Sequence, residues 1–312
     1  MATRIIPYDS IYNDKIMKLE QSVVQGIGIQ LLMIKKHFLS RAMVFKKNEA
    51  CLALDSNDQL LGVSVGAQTT MIVNGESFEA GIGIDLKVDP AQRNLGIGRM
   101  LTQNTHQKFL IPQGLKRNFI TLKKSNMAVL KLTSRAATST WLYDFTYLTI
   151  PTTSRILKTR IAKDGEQLFK VSLFQNDPVD PTYYKDLHNG LGYFYTHLMY
   201  QLSVRKISHL VKLGFWILRK LNPHKYLFLP KEKDIVGFAT LYNHTTQNIG
   251  HINEVLAQLE LQGVRFLMVC CRKNDPVYTF LKTLAIHQQG YLILSDFPLH
   301  RNDELTIDVR CL

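Results

Sequence analysis

Arg93, Gly96 and Gly98 stand at a spacing that suits the binding of a diphosphate. They belong to the run Leu86-Lys87-Val88-Asp89-Pro90-Ala91-Gln92-Arg93-Asn94-Leu95-Gly96-Ile97-Gly98-Arg99, with Met100 and Leu101 following. Ile97, Met100, Leu101, Thr105 and Phe109 recur at helical spacing, which places Gly96 and Gly98 on the first turn of a helix. The amide N–H groups of a first turn have no partners within the helix, and the positive end of the helix dipole adds to their attraction for phosphate. Glycine suits that turn because a Cβ would hold the ligand away from the backbone.

The elements around this turn must deliver it to a cleft. Ile82, Ile84, Leu86 and Val88 alternate with smaller or polar residues, the period of a strand, and Pro90 ends it. A second strand is expected at Asn118 to Leu122. A dinucleotide fingerprint fits less well, since Leu101 stands where the third glycine belongs and no acidic residue follows at a strand end about twenty positions on. No G-x-x-x-x-G-K-S/T phosphate loop is present.

Leu86 to Gly98 resembles motif A of the GNAT N-acetyltransferases, an L-x-V strand end followed by R/Q-x-x-G-x-G/A at a helix start. Ile120-Thr121-Leu122-Lys123-Lys124-Ser125-Asn126-Met127-Ala128, continuing to Leu132, resembles the family's motif B, and the spacing of Asn126, Ala128 and Leu132 is similar to plant Hookless-type N-acetyltransferases. The resemblance covers residues 1–150. It implies a mixed α/β fold in which two parallel strands splay apart and the pantetheine arm of acetyl-CoA, the co-substrate, inserts between them. It also implies that Leu86, Lys87, Val88, Arg93, Asn94, Leu95, Gly96, Ile97, Gly98, Arg99 and Asn126 hold the CoA, and that the reaction is acetyl transfer to an amine, a small molecule or a protein, by direct attack on the thioester.

Such a transfer needs a deprotonated amine, a donor to the carbonyl oxyanion and a proton for the thiolate. A backbone N–H near Val88 would supply the oxyanion contact, as the resemblance implies. An amine with a pKa of about 10.4 must lose a proton to a base or a water chain. Asp85 and Glu79 lie on the strand entering motif A, and Asp85, nearer the expected thioester, is the candidate base. His106 reads as structural. In relatives a tyrosine after the motif B helix protonates the thiolate, but here Leu132 is followed by Thr133, so Tyr143 or Tyr147 on the next strand would have to substitute. Lys123 and Lys124 would add positive potential near the phosphates or face solvent.

The chain has 312 residues, 46% hydrophobic and 20% charged, enough for a full core and two domains. With 38 basic against 25 acidic residues it carries +13, which favours an anionic partner. Charge alone motivates an alternative, a catalytically weak acyl-CoA-binding regulatory protein acting through a basic surface on nucleic acid or an anionic membrane. The absence of an aromatic-basic motif or recognition helix argues against nucleic acid. Cys51, Cys270, Cys271 and Cys311 have no C-x-x-C spacing and read as reduced structural thiols, with no metal expected. Charges throughout residues 1–18 leave no secretory signal, so a cytoplasmic location is the default.

Helices are expected over Ile11 to Val24, Gly28 to Phe38, Gly98 to Leu110 and Met127 to Ala136. Strands are expected near Arg4 to Tyr8, Ala50 to Leu54, Leu60 to Ile72, Phe78 to Val88, Asn118 to Leu122 and Thr140 to Ile150. Pro151-Thr152-Thr153-Ser154 marks a boundary between an N-terminal acyltransferase domain, 1–150, and a C-terminal lobe, 151–312. In that lobe Asp234 to Leu241 resembles Gln59 to Gly66, and Met268 to Asn274 resembles Ile120 to Asn126, which suggests a second, degenerate GNAT-like unit without the CoA motif. Leu187 to Val204 lacks charged side chains apart from histidine, yet its glycines, histidines, Asn189 and Gln201 exclude a membrane span, and Leu191, Phe194, Leu198 and Leu202 read as a buried helical stripe. Ile207 to Leu218 reads as a packed helix with a solvated basic face, in preference to an interfacial membrane helix.

Overall fold

The computed structural model describes residues 3–312 except 25, 27, 131–139, 157–164, 177–178, 222 and 227–228. In chain order the strands are β1 (Arg4–Pro7), β2 (Ile29–Ile34), β3 (Asn48–Leu54), β4 (Leu60–Val73), β5 (Glu76–Val88), β6 (Asn118–Lys123), β7 (Trp141–Pro151) and β8 (Phe169–Ser172). The second half adds β9 (Tyr184–Asp186), β10 (Gly192–Phe194), β11 (Gln201–Ile207), β12 (Ile235–Val236), β13 (Phe238–Tyr242), β14 (Phe266–Cys271), β15 (His287–Ser295) and β16 (Leu305–Asp308). The longer helices are α1 (Asn13–Ser22), α2 (Ile97–Thr105), α3 (His209–Leu221), α4 (Ile252–Leu261) and α5 (Pro276–Leu281).

Among the described residues one mixed sheet runs β1-β3-β4-β5-β6-β15-β7-β14-β13-β10-β9, with β16 joined to β4 and β8 outside that path. The order is pseudo-symmetric about the β15–β7 pair. On one side β5 and β6 are parallel and linked through α2; on the other β13 and β14 are parallel and linked through α4. β13 thus takes the place of β5, one strand later than the match of Asp234–Leu241 to Gln59–Gly66 implied. The central strands are exchanged: β7, which follows β6 in the chain, pairs with β14, while β15 lies between β6 and β7. Residues 1–150 and 151–312 therefore interleave strands in one sheet. A small second sheet, β12-β11-β2, also joins the two halves.

Two apolar cores flank the main sheet. Ile16, Phe38, Leu52, Val63, Phe119, Phe145, Phe169 and Leu305 belong to the larger, which spans both halves. The inner faces of α4 and α5, with Val255, Leu256, Leu259 and Leu281, cover Ile150, Leu241 and Leu267 in the other. α2 buries Ile97 and Leu101 against Cys51 and Leu61. All four cysteines are free and buried.

Three sequence expectations are corrected. Gly28–Phe38 is not a helix: Ile29–Ile34 is a strand, paired with β11, because a short continuous apolar run fits either element and its partner lies about 170 positions away. Leu187–Val204 is not one helix but β10, a single turn at Thr196–Met199 and part of β11. α3 is a helix as expected, yet it is not simply packed, since Leu210, Leu213, Trp216, Ile217 and Leu221 face solvent. No helix among the described residues is long and apolar enough to cross a membrane.

Candidate active site

β5 and β6 pair only at Gly81↔Asn118 and Ile82↔Phe119. Beyond that point β5 continues alongside β4, through Val63↔Lys87 and Gly62↔Val88, while β6 stays paired along its other edge with β15, from Phe119↔Ser295 to Lys123↔Tyr291. The edge of β5 that faced β6 is left unpaired. Asp89 N–H donates to Leu61 O on the β4 side, so strand alternation turns Val88 N–H to the open edge.

The gap is a cleft of about 1290 Å³. Ile84, Leu86 and Lys87 of β5, Thr102 and Gln103 of α2 with His106 just past its end, and Lys123 at the end of β6 with Ser125 and Asn126 after it line its outer part. It continues as a slot between the two sheets, with Tyr147, Tyr291, Phe266 and Met268 on one wall and Leu31, Met33, Leu202 and Val204 on the other. Phe215 of α3 also lines it.

The glycine turn is open to solvent. Asp89 accepts from Ala91 N–H to start the turn at Pro90, Asn94 has φ +67°, and Gly96 has φ +82°. Positive φ at Gly96 is the left-handed region that glycine enters without steric cost. A Cβ there would meet no heavy atom within 4 Å, and no side chain caps the amides that open α2. Arg93, Asn94, Leu95 and Arg99 are exposed around this turn, whereas Ile97 is buried beneath it. Asn126 caps the next helix, its Oδ1 accepting from Val129 N–H at 3.4 Å. Leu132 and Thr133 lie outside the described residues.

Asp85 sits at a bulge in β5, where the register to β4 shifts between Val63 and Val65, and its φ is +52°. The bulge turns the carboxylate inward to a buried charge cluster. Lys35 Nζ lies 2.7 Å from Asp85 Oδ2 and 3.0 Å from Glu20 Oε1, with the three side chains at most 1% exposed. Arg41 and Lys87 approach Asp85 Oδ1 at 3.6 and 3.9 Å. Burial alone would raise the Asp85 carboxyl, but Lys35, then Arg41 and Lys87, outweigh it and hold it far below the usual carboxylate range. Burial dominates at Glu20 and raises it; burial likewise lowers Lys87. A carboxylate stabilised by three cations is a weak proton acceptor, so this arrangement suits Asp85 as an anchor. Glu79, by contrast, is exposed and outside the cleft.

Three tyrosines line the inner cleft. The Tyr147 and Tyr291 rings are 4.4 Å apart, and the Arg41 guanidinium lies 5.9 Å from the Tyr200 ring centre. Burial pushes all three hydroxyls upward, so each remains an O–H donor across neutral pH. Tyr143 is elsewhere, buried with its hydroxyl donating to Leu168 O at 2.9 Å. His106 is exposed at the rim rather than structural. Lys124 pairs with Asp144 at 3.3 Å, while Lys123 lines the cleft.

Of the expected residues, the fold thus gathers Leu86, Lys87, Asn126 and Asp85 at one cleft, with Val88 N–H aimed at its edge. Arg93 to Arg99, apart from buried Ile97 and half-buried Gly98, form an exposed turn about one helical turn before the lining residue Thr102. Sequence reading missed Glu20, Lys35, Arg41, Tyr200 and Tyr291. None belongs to a motif, and Tyr291 joins only through the strand exchange.

No protein-family model and no curated protein matches this chain. Solved structures do. N-myristoyltransferase of Saccharomyces cerevisiae with bound myristoyl-CoA is similar at a TM-score of 0.58 and 9% identity, covering 98% of this chain and 81% of that one. The GCN5-related glucosamine N-acetyltransferase region of a fungal multi-domain GH3 β-N-acetylglucosaminidase is similar at a TM-score of 0.51 and 9% identity, covering 94% of this chain and 38% of that one. At such identities the likeness is one of fold: this chain has the mixed α/β fold of the GNAT acyltransferases, in a two-lobed form shared with N-myristoyltransferase.

Proposed function

We propose that this protein is an acyl-CoA-dependent N-acyltransferase that transfers acetyl from acetyl-CoA to an amine by direct attack on the thioester. The observation that carries the reading is the splay of β5 from β6, which leaves an unpaired strand edge between the uncapped start of α2 and the Asn126 cap. A pantetheine arm has amides able to pair with that edge, while its diphosphate meets the exposed amides of residues 93–98. The two-lobed neighbour was solved with a CoA thioester bound, which supports the same class of donor here.

In the transfer the amine nitrogen bonds to the thioester carbonyl carbon and the carbon–sulfur bond breaks. The amine proton passes to water, and the thiolate leaves with a proton. Val88 N–H is assigned to the carbonyl oxygen, with Arg41 and Lys87 adding positive potential near the developing oxyanion. Tyr147, Tyr200 or Tyr291 donates its O–H proton to sulfur and regains one from water, filling the role that Thr133 leaves empty. Asp85 is reassigned from base to positioning residue. The similarity to Hookless-type enzymes rests on the spacing of Asn126, Ala128 and Leu132 in the sequence alone.

Calorimetry with CoA tests the proposal. The wild-type chain is expected to bind, and Gly98→Glu, which puts a carboxylate on the first turn of α2, to lose affinity at least about tenfold. Wild-type protein that ignores CoA, or Gly98→Glu protein that binds it normally, would overturn the assignment. Thiol release from acetyl-CoA across a panel of amines, compared with longer acyl-CoAs, then tests the acetyl donor.

A further inference from the structure

α3 carries an apolar face that nothing among the described residues covers. Leu210, Leu213, Ile217 and Leu221 recur at i, i+3, i+7 and i+11, one stripe of the helix, with Trp216 beside them. Leu210 is 83%, Leu221 75%, Trp216 58% and Leu213 55% exposed. A different face is already used, since Val211 and Phe215 pack on the small sheet. α3 is thus apolar on two sides, and only one faces the protein.

The flank of that stripe is basic. Arg205, Lys206, His209 and Lys212 line a groove of about 720 Å³ at the foot of α3. The carboxylate in it, Glu232, is already engaged, accepting from Ile207 N–H at 2.8 Å and pairing with Lys212 at 3.0 Å. Lys220 stands exposed farther along the helix.

We propose that α3 is the membrane-docking element of this protein, with its outer stripe lying in the interface of an anionic bilayer and the basic groove taking lipid phosphate headgroups. Charge selects this occupant. A second copy would bring another +13 and another basic rim to the same patch, whereas an anionic lipid surface neutralises the rim while burying the stripe. The inference goes beyond acyl transfer, though Phe215, on the inner face of α3, lines the cleft. Docking therefore brings a wall of the candidate active site next to lipid.

Vesicle flotation of the full chain tests the proposal, with phosphatidylcholine vesicles compared with vesicles that also contain phosphatidylglycerol. The wild type is expected to float with the anionic vesicles, to float far less with phosphatidylcholine alone, and to be released by rising salt. Leu213→Asp with Ile217→Asp, and separately Arg205→Glu with Lys206→Glu, should each lower partitioning at least about tenfold. CoA calorimetry on the same variants reports that they remain folded. The proposal is overturned if the wild type fails to float, if it floats equally with both vesicles, or if the wild type sediments as a dimer that Leu213→Asp with Ile217→Asp dissociates. Retention of inorganic phosphate by a chain that ignores vesicles would overturn it too.

Discussion

Replacing Lys35 with Met tests whether the cluster at the β5 bulge is a structural anchor. Lys35 Nζ bridges Asp85 at 2.7 Å and Glu20 at 3.0 Å with all three side chains out of solvent. Removing one partner of a buried ion pair costs about 3–5 kcal/mol, because the remaining charge stays buried without its counter-ion. Asp85 keeps Arg41 and Lys87 at 3.6 and 3.9 Å, whereas Glu20 forms no second ion pair among the described residues and feels Lys87 only from farther away, so Glu20 bears most of the loss. The expected loss for Lys35→Met is therefore about 3 kcal/mol, and adding Glu20→Gln should restore part of it. Urea denaturation at pH 7, followed by Trp141 and Trp216 fluorescence, reads both values. The acid side gives an independent sign. Asp85 titrates lower in the folded chain than unfolded, where its pKa is about 3.9. Its stabilisation is fully present above that value and is lost progressively as pH falls from there through the lower folded value. Glu20 is raised and works the other way, its contribution present below about 4.3 and lost as pH rises toward its folded value. Asp85→Asn should thus flatten the stability loss below about pH 4 while lowering stability at pH 7. An Asp85→Asn protein of unchanged stability whose kcat falls by about 10²–10⁴ would restore Asp85 as the general base and refute this reasoning, as would a Lys35→Met cost under about 1 kcal/mol.

Other outcomes follow from the same geometry. Gly96→Val forces a β-branched residue to φ +82° and should cost about 1–2 kcal/mol in denaturation without removing a core contact, since the site is open. Tyr147→Phe should lower kcat with little change in CoA affinity if its hydroxyl reprotonates the thiolate. Because burial raises that hydroxyl above 10, the wild-type rate should show no alkaline limb from it below about pH 10. Arg310, fully buried and held by Asp308 at 2.7 and 2.8 Å and by Val44 O at 2.8 Å, should cost about 3–5 kcal/mol on replacement by Met, read by the same denaturation assay.

Local pattern made much of the first half legible. The alternation in Gly81 to Val88 and the apolar positions Ile97, Leu101 and Thr105 report buried faces, and the structure uses them as β5 and α2. Asn126 was readable as a helix start because a cap needs only its own side chain and the next turn. Pairing at long range left no such mark. β2 satisfies its ladder with β11, and β15 reaches β6 and β7 from more than 130 positions away, so periodicity had nothing to distinguish Ile29–Ile34 from a helix or to reveal the exchange. The end of α3 shows the same limit on a smaller scale: Leu213, Ile217 and Leu221 announce an apolar stripe, but only the packing of Val211 and Phe215 says which stripe faces the protein.

For the site, the difference between a motif and a constellation decides what sequence shows. The turn at Arg93 to Gly98 would act through its own backbone, so the chemistry proposed for it is written in consecutive residues. Asp85 was also visible, but its role depends on partners at positions 20, 35 and 41, and on a bulge that breaks the strand alternation. A carboxylate near an expected thioester and a carboxylate clamped by three cations look identical in the sequence. They differ by an environment that moves the proton affinity in opposite directions: an isolated buried carboxylate becomes a better base, whereas Lys35, Arg41 and Lys87 make Asp85 a worse one. The bulge beside this clamp lies just past the last β5–β6 pair, Ile82↔Phe119, so the charges that weaken Asp85 as a base sit next to the strand edge on which acyl transfer would depend.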